Sequence, residues 1–311
     1  MPATRRALLT CLPAWATALC SAPRAAAQTA PSVVTKPIPS SREQIPVVGL
    51  GTWITFNVGK DRVALDACAE VIQAYFAAGG RMIDSSPMYG SSQATIGHGL
   101  ARLDANKAPV FAADKVWISS NKGDSRGPEQ IEQSRRLWGL PKFDLLQVHN
   151  LLDWEVHLPT LLAMKAAGRL RYVGITTSEG RRHREMESIL RSQPLDFVQL
   201  SYNPLDREAE QRLLPLAAER GVAVIANRPF REGALLKALQ RHPLPAWAAS
   251  ELGCDGWAQF VLKYIVAHPA VTCAIPATSS VAHVRQNLGA ARGAMPDAAL
   301  RRRMAEHIAA L

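Results

Sequence analysis

Two hydrophobic rhythms alternate along this chain. Short, nearly unbroken apolar runs occur at "VVGLGTW", "RMIDSS", "VFAADKV", "FDLLQVH", "YVGITTS", "FVQLSY", "VAVIANR" and "VTCAIPA". They are rich in Val, Ile and Leu, the pattern of a strand covered on both faces. Between them lie longer segments with helical patterning. Among these are "DRVALDACAEVIQAYFAAGG", "SSQATIGHGLARL", "GPEQIEQSRRLWG", "VHLPTLLAMKAAGRL", "REAEQRLLPLAAERGV" and "VAHVRQNLGAA". Several close on Gly or a basic residue, as helix C-termini do. Eight strand-like runs alternating with helices predict either a closed (β/α)8 barrel or an open doubly wound sheet. An open sheet that binds a dinucleotide carries G-x-G-x-x-G after its first strand. Here the first run gives only "GLGTW". The prediction is therefore an α/β fold, a (β/α)8 TIM barrel, in a single domain.

Composition changes this picture little. Of 311 residues, 48% are hydrophobic and 20% charged, enough to bury a core. The formal charge is +10, a balance that favours anionic partners. No dense Lys/Arg run is interleaved with aromatics, so nucleic-acid binding is not expected. No apolar run reaches the roughly 18 residues of a membrane span, so no stable membrane insertion is expected.

The first residues read separately. "TRRALLT" puts Arg5 and Arg6 ahead of a modest apolar stretch, Ala7 to Leu19, and "AAAQ" follows with small residues at Ala25 and Ala27. That is the order of a cleavable export signal, and the paired arginines point to the twin-arginine route. Pro13, Trp15 and Arg24 suit that route better than the general secretory one. The expected organisation is a signal over 1–27, a flexible segment over 28–44 and the barrel over 45–311. The expected location is periplasmic or otherwise exported, and cytoplasmic if the signal is not functional. Cleavage after Ala27 removes three arginines from the +10 balance. It leaves Cys68, Cys254 and Cys273, which do not make a disulfide framework. Cys68 and Cys273 lie in apolar-patterned segments and read as buried thiols.

In such a barrel the reactive groups gather at the C-terminal ends of the strands. "RMIDSSPMYGSS" ends one run in Asp84 and leads on to Tyr89. "FAADKV" ends near Lys115, and "LLQVHN" near His149. Singly, each has a plain structural role open to it: a helix cap, a packed ring, a rim charge, a satisfied core histidine. Together their chemistry is coherent. A phenol with a pKa of roughly 10 gives up its proton reluctantly at neutral pH. A nearby ammonium, Lys115, is expected to lower that value, since unit charges about 4 Å apart interact by about 4 kcal/mol at an effective dielectric near 20. Lys115 needs a partner if buried, and Asp84 is the natural one. His149 can polarise a carbonyl oxygen by hydrogen bonding. The set suits protonation of an oxygen that is becoming an alkoxide, as when hydride adds to a carbonyl carbon.

The pieces "GLGTW", "MIDSSPMYGSS", "DKV", "VHN", "YVGITTS", "FVQLSYNP" and "IPATSSVAHVRQNL" resemble the aldo/keto reductases, over essentially all of residues 45–290. The resemblance implies a (β/α)8 barrel that binds NADP(H), sometimes NAD(H), across its strand ends and reduces aldehydes and ketones to alcohols. It implies Asp84, Tyr89, Lys115 and His149 as the catalytic residues, with Tyr89 the general acid. Gly51, Thr52 and Trp53 would line the nicotinamide and substrate end, and Gln199 would hold the carboxamide. Thr176 and Thr177 stand where the family has Ser-Asn, which removes an amide able to donate and accept at once. Asn227 stands where an aromatic commonly stacks on nicotinamide, with Arg228 as a planar substitute. Pro229 to Gly233, including Phe230, would form the pyrophosphate loop. At the adenosine end Ala277 and His283 replace a Lys and an Arg, while Thr278, Ser279, Gln286 and Asn287 remain. Fewer cations weaken charge-assisted bonds to a 2′-phosphate, but hydroxyls and Arg285 lie nearby, so NADP(H) is expected ahead of NAD(H). The final helix, Asp297 to Leu311, leaves little length for a loop over the pocket, so the substrate range is expected to be broad.

Two other functions compete with carbonyl reduction. A dinucleotide-binding barrel with little turnover, acting as a redox sensor or regulatory subunit, would tolerate Thr177 and Asn227. A metal-dependent hydrolase would need clustered His and carboxylate ligands. The eight histidines are scattered, with no H-x-H at a strand end, so no metal site is expected. The expected partners are a small carbonyl substrate and the twin-arginine export machinery.

Overall fold

Each apolar run becomes a strand, and the strands lie side by side in chain order. The computed structural model describes residues 33–103, 110–119 and 126–311. A hairpin of β1 (Thr35–Pro37) and β2 (Gln44–Pro46) comes first. Then follow β3 (Leu50–Gly51), α1 (Arg62–Ala77), β4 (Met82–Asp84), α2 (Ser92–Ala101), β5 (Phe111–Val116) and α3 (Gly127–Trp138). The alternation continues with β6 (Leu145–Val148), α4 (Trp154–Ala166), β7 (Tyr172–Thr176), α5 (His183–Ser192), β8 (Phe197–Ser201), α6 (Leu213–Arg220) and β9 (Ala223–Asn227). Three helices, α7 (Ala234–Leu239), α8 (Ala246–Leu252) and α9 (Trp257–Val266), precede β10 (Cys273–Ala274). The chain ends in α10 (Val281–Gly289) and α11 (Ala298–Ala309). Strands β3 to β10 form one eight-stranded parallel sheet in sequential order. Its edges meet: parallel bridges join Val48 to Ala274 and Gly51 to Ala277. A side chain at Gly51 would put its Cβ 2.6 Å from the Ile275 carbonyl oxygen, so this seam requires glycine.

The local chemistry explains the helix ends. Asp61 caps α1 by accepting from the Val63 and Ala64 amides, and Asp297 caps α11 by accepting from Leu300. Gly139, at φ 68°, ends α3 in the left-handed conformation that suits glycine.

Strand side chains alternate between the two faces of a sheet, and this decides what the barrel interior holds. Phe111, Leu145, Tyr172, Phe197 and Ala223 cluster inside, with Met82, Ile225 and Cys273. Two residues on from each of the first five are Ala113, Gln147, Gly174, Gln199 and Ile225; two further are Lys115, His149, Thr176, Ser201 and Asn227. The interior is therefore apolar at the N-terminal end of the strands and polar at the C-terminal end. The same alternation carries Asp114 and Thr177 outward, toward the helices.

The segment 28–44, expected to be flexible, is from residue 33 onward an ordered part of the fold. Ile38 and Ile45 are wholly buried and belong to the interior cluster, so the hairpin closes the floor of the barrel. Lys36 Nζ donates to the carbonyls of Val266, His268 and Val271 at 2.7, 2.8 and 2.7 Å, tying the hairpin to the C-terminal end of α9. Burial, then the charge of Arg301, pulls this ammonium down to about 8. The described cysteines are all buried free thiols, and burial raises the thiol of Cys254 to about 11. The expected signal, residues 1–27, lies outside the described residues.

Candidate active site

Asp84, Lys115 and His149 come from three neighbouring strand ends, and Tyr89 from the loop that follows β4. Lys115 Nζ donates to Asp84 Oδ1 at 2.5 Å and to the Ser85 carbonyl at 2.8 Å. Both charges are out of solvent, at 0% and 2% side-chain exposure. Burial alone works against the ammonium, but Asp84 and then Tyr89 outweigh it and hold Lys115 above its ordinary range. Asp84 Oδ2 accepts further bonds from Gln199 Nε2 at 2.9 Å and Gln147 Nε2 at 3.4 Å. Lys115 Nζ lies 5.0 Å from the centre of the Tyr89 ring. Tyr89 itself is half-buried, packed between Trp53, at 6.4 Å between centroids, and the edge of His149, at 5.6 Å.

The expected lowering of the Tyr89 pKa is not what results. Burial of the hydroxyl raises it above the ordinary phenol value, and Lys115 offsets this only in part. His149 moves the other way. Burial, reinforced by Lys115, holds its imidazole well below the usual range, so it is neutral near pH 7. His149 Nδ1 lies 2.7 Å from Ser86 Oγ.

Above this centre runs a cleft of about 710 Å³. It is lined by Gly51, Thr52, Trp53, Tyr89 and His149, by Thr176, Gln199, Asn227, Arg228, Phe230 and Gly233, and by Thr278, His283, Gln286 and Asn287. Its size falls within the range typical of small-molecule and cofactor sites. Its amides, hydroxyls and two imidazoles suit a long polar molecule lying across the strand ends.

The profile of the Aldo/keto reductase family matches residues 47–302. The chain belongs to this family. An NADH-specific methylglyoxal reductase of Escherichia coli (strain K12) is 27% identical over 233 residues, 65% of this chain and 68% of its own length. Methylglyoxal reductase YeaE of the same organism is 25% identical over 248 residues, 78% of this chain and 84% of its own. In fold, the chain is similar to an aldo-keto reductase from Klebsiella pneumoniae in complex with NADPH. That similarity has a TM-score of 0.73 at 20% identity, over 89% of this chain and 95% of that one.

Measured against the expectations, this aldo/keto reductase brings nearly every named residue to the cleft, with some in altered roles. Ser279 is exposed and does not line it. Thr177 reaches it, but its hydroxyl faces Met186 Sδ on α5 at 3.8 Å, because its side chain lies on the outer face of the strand direction. Thr176 Oγ1 accepts from the Asn150 amide at 3.2 Å and so steadies the turn carrying His149. Arg228 is not free to stack: its guanidinium pairs with Glu179 at 3.1 Å and with Glu232. Asn227 sits in a polar network. Its Oδ1 accepts from Ser201 Oγ at 2.7 Å, and its Nδ2 donates to the Thr177 carbonyl at 2.9 Å and toward Gln199 Oε1 at 3.4 Å. The aromatic commonly found there is thus replaced by an amide that orients Gln199 over Asp84. Sequence reasoning did not single out Ser86, Gln147, Met88, Ile54 or the start of α9. Strand alternation carried past Asp84 gives Ser86, and carried back from His149 gives Gln147.

Proposed function

We propose that this aldo/keto reductase converts small aldehydes and ketones to alcohols with NAD(P)H, Tyr89 being the general acid. The observation that carries the reading is the buried Asp84–Lys115 ion pair beneath the Tyr89 ring, beside a neutral His149 that lines the same cleft. A reduced nicotinamide, if held along the cleft, would supply the hydride. His149 donates a hydrogen bond to the carbonyl oxygen as charge builds there. Tyr89 passes its proton to that oxygen, completing the alcohol. The ammonium of Lys115 stabilises the phenolate left behind, and Asp84 keeps that ammonium in place. In this reading Gln199 and Asn227 would meet a carboxamide, and Thr278, His283, Gln286 and Asn287 the adenosine end; all six line the cleft.

NADP(H) is proposed ahead of NAD(H), with a small margin. Among the described residues that line the cleft beyond β10, Ile275 to Asn287, none is Lys or Arg. Dissociation constants for NADPH and NADH are therefore expected to differ by no more than about tenfold, roughly one charge-assisted bond. Fluorescence titration with each dinucleotide measures this. Methylglyoxal, named for the two relatives, is the first aldehyde to test. Tyr89→Phe is expected to lower kcat by about 100- to 10,000-fold with dinucleotide affinity unchanged. Full activity in Tyr89→Phe would remove the phenol from the mechanism. Tight binding with no aldehyde-dependent oxidation of the dinucleotide would instead favour a sensor, a reading consistent with the internal contacts of Thr177 and Arg228.

Export by the twin-arginine route belongs to the same proposal, since that route can carry a protein already folded around its dinucleotide. N-terminal sequencing of the mature protein from a periplasmic extract is expected to start at Gln28. A purely cytoplasmic protein that retains residues 1–27 would overturn it.

A further inference from the structure

We infer that Ser86 is a positioning residue: its hydroxyl donates to Nδ1 of His149 and fixes the imidazole as the Nε2–H tautomer. Both residues are buried, at 0% and 4% exposure, so solvent does not scramble the arrangement. Ser86 Oγ and His149 Nδ1 are 2.7 Å apart. The Met88 amide already donates to Ser86 Oγ at 3.1 Å. Among the described residues, that leaves His149 Nδ1 as the acceptor within reach of the serine hydrogen. The opposite tautomer would put Nδ1–H on the second lone pair of Ser86 Oγ and leave the serine O–H without an acceptor among the described residues, a costly state for a buried hydroxyl. The ring nitrogen left for the cleft is Nε2. As N–H it can donate to a carbonyl oxygen; as a bare lone pair it would repel one.

A neutral imidazole has two tautomers, and the partner of one nitrogen decides which is present. The charged and titratable groups around this ring, Lys115, Asp84 and Tyr89, do not hydrogen-bond it in the structure. Lys115 opposes the doubly protonated ring. The choice between the two neutral forms falls to Ser86. The inference rests on the carbonyl-reduction reading for its purpose, but not for its test.

The test is long-range proton–nitrogen correlation spectroscopy of full-length protein labelled with 15N-histidine, near pH 7.5. The His149 resonances are assigned by their loss in His149→Gln. Wild type is expected to carry the proton on Nε2 alone, and Ser86→Ala to show a mixture with Nδ1–H. Ser86→Ala is expected to lower kcat for methylglyoxal by about tenfold, roughly one lost hydrogen bond, with KM for NADPH unchanged. Ser86→Thr, which keeps the hydroxyl, is expected to restore both the tautomer and the rate. A His149 protonated on Nδ1 in wild type, or a tautomer unmoved in Ser86→Ala, would overturn the inference even in an active enzyme. A wild type with Nε2–H that reduces no carbonyl would leave the inference standing and remove the functional reading instead.

Discussion

Lys115 is wholly shielded from water, yet it keeps its charge because Asp84 and the Ser85 carbonyl replace the lost hydration. That one pair sets the character of its neighbours. Its ammonium opposes a second positive charge on His149 and only partly offsets the burial of the Tyr89 hydroxyl, which its carboxylate reinforces. The consequence for pH follows in sign. Tyr89 works as an acid while protonated, and its raised pKa means that form is lost only above the ordinary phenol range. His149 works while neutral, and its lowered pKa means that form is lost only well below the ordinary imidazole range. Between pH 6 and 9 the kcat/KM for an aldehyde, at saturating NADPH, is therefore expected to stay constant within about threefold. A limb with an apparent pKa of 6 to 7 that persists in Asp114→Asn would show that His149 titrates as an open histidine.

At the scale of the element, the β1–β2 hairpin is the part that composition hid. Its segment holds Pro37, Pro39 and Pro46 and the paired Ser40–Ser41, which locally signal turn rather than strand. Ile38 and Ile45 gain their meaning from partners far along the chain, inside a barrel that no local window shows. Ile45→Ala is expected to cost about 2–5 kcal/mol by leaving a cavity in the floor, with KM for the aldehyde unchanged. Denaturant unfolding and steady-state kinetics on one preparation check both halves. The barrel strands were legible for the opposite reason: each is covered on both faces and so reads as apolar without reference to its neighbours. Asp84, Lys115 and His149 were legible because a charged or titratable side chain closing such an apolar run stands out against it. What Thr177 and Ser86 do was not legible, because a hydroxyl's partner depends on which face of the strand it takes and on what stands opposite. For Ser86 that partner is 63 residues away.

Across the whole molecule, acid tolerance depends on a carboxyl outside the cleft. Asp114 points away from the barrel axis, accepting from Gln93 Nε2 at 2.8 Å and from the Lys115 amide at 2.7 Å. Burial lifts its pKa from 3.8 to about 7. The folded protein thus retains a proton that the unfolded chain has lost. The stability this gives is complete below the unfolded value and disappears as pH rises through about 7. Asp114→Asn removes the dependence. Between pH 5 and 8, the wild-type melting temperature is expected to fall relative to that variant by at least about 4 °C, measured by calorimetry. Parallel curves for the two proteins would show that Asp114 is already ionised at pH 5.

The hairpin that seals the floor also decides where a handle belongs. The first described residues enter the fold at the end of the barrel opposite its mouth. Anything spliced ahead of Val33 joins on that far side. An enzyme shortened to begin at Val33 and fixed there to a bead or an electrode would therefore keep its entrance turned toward the bulk solution.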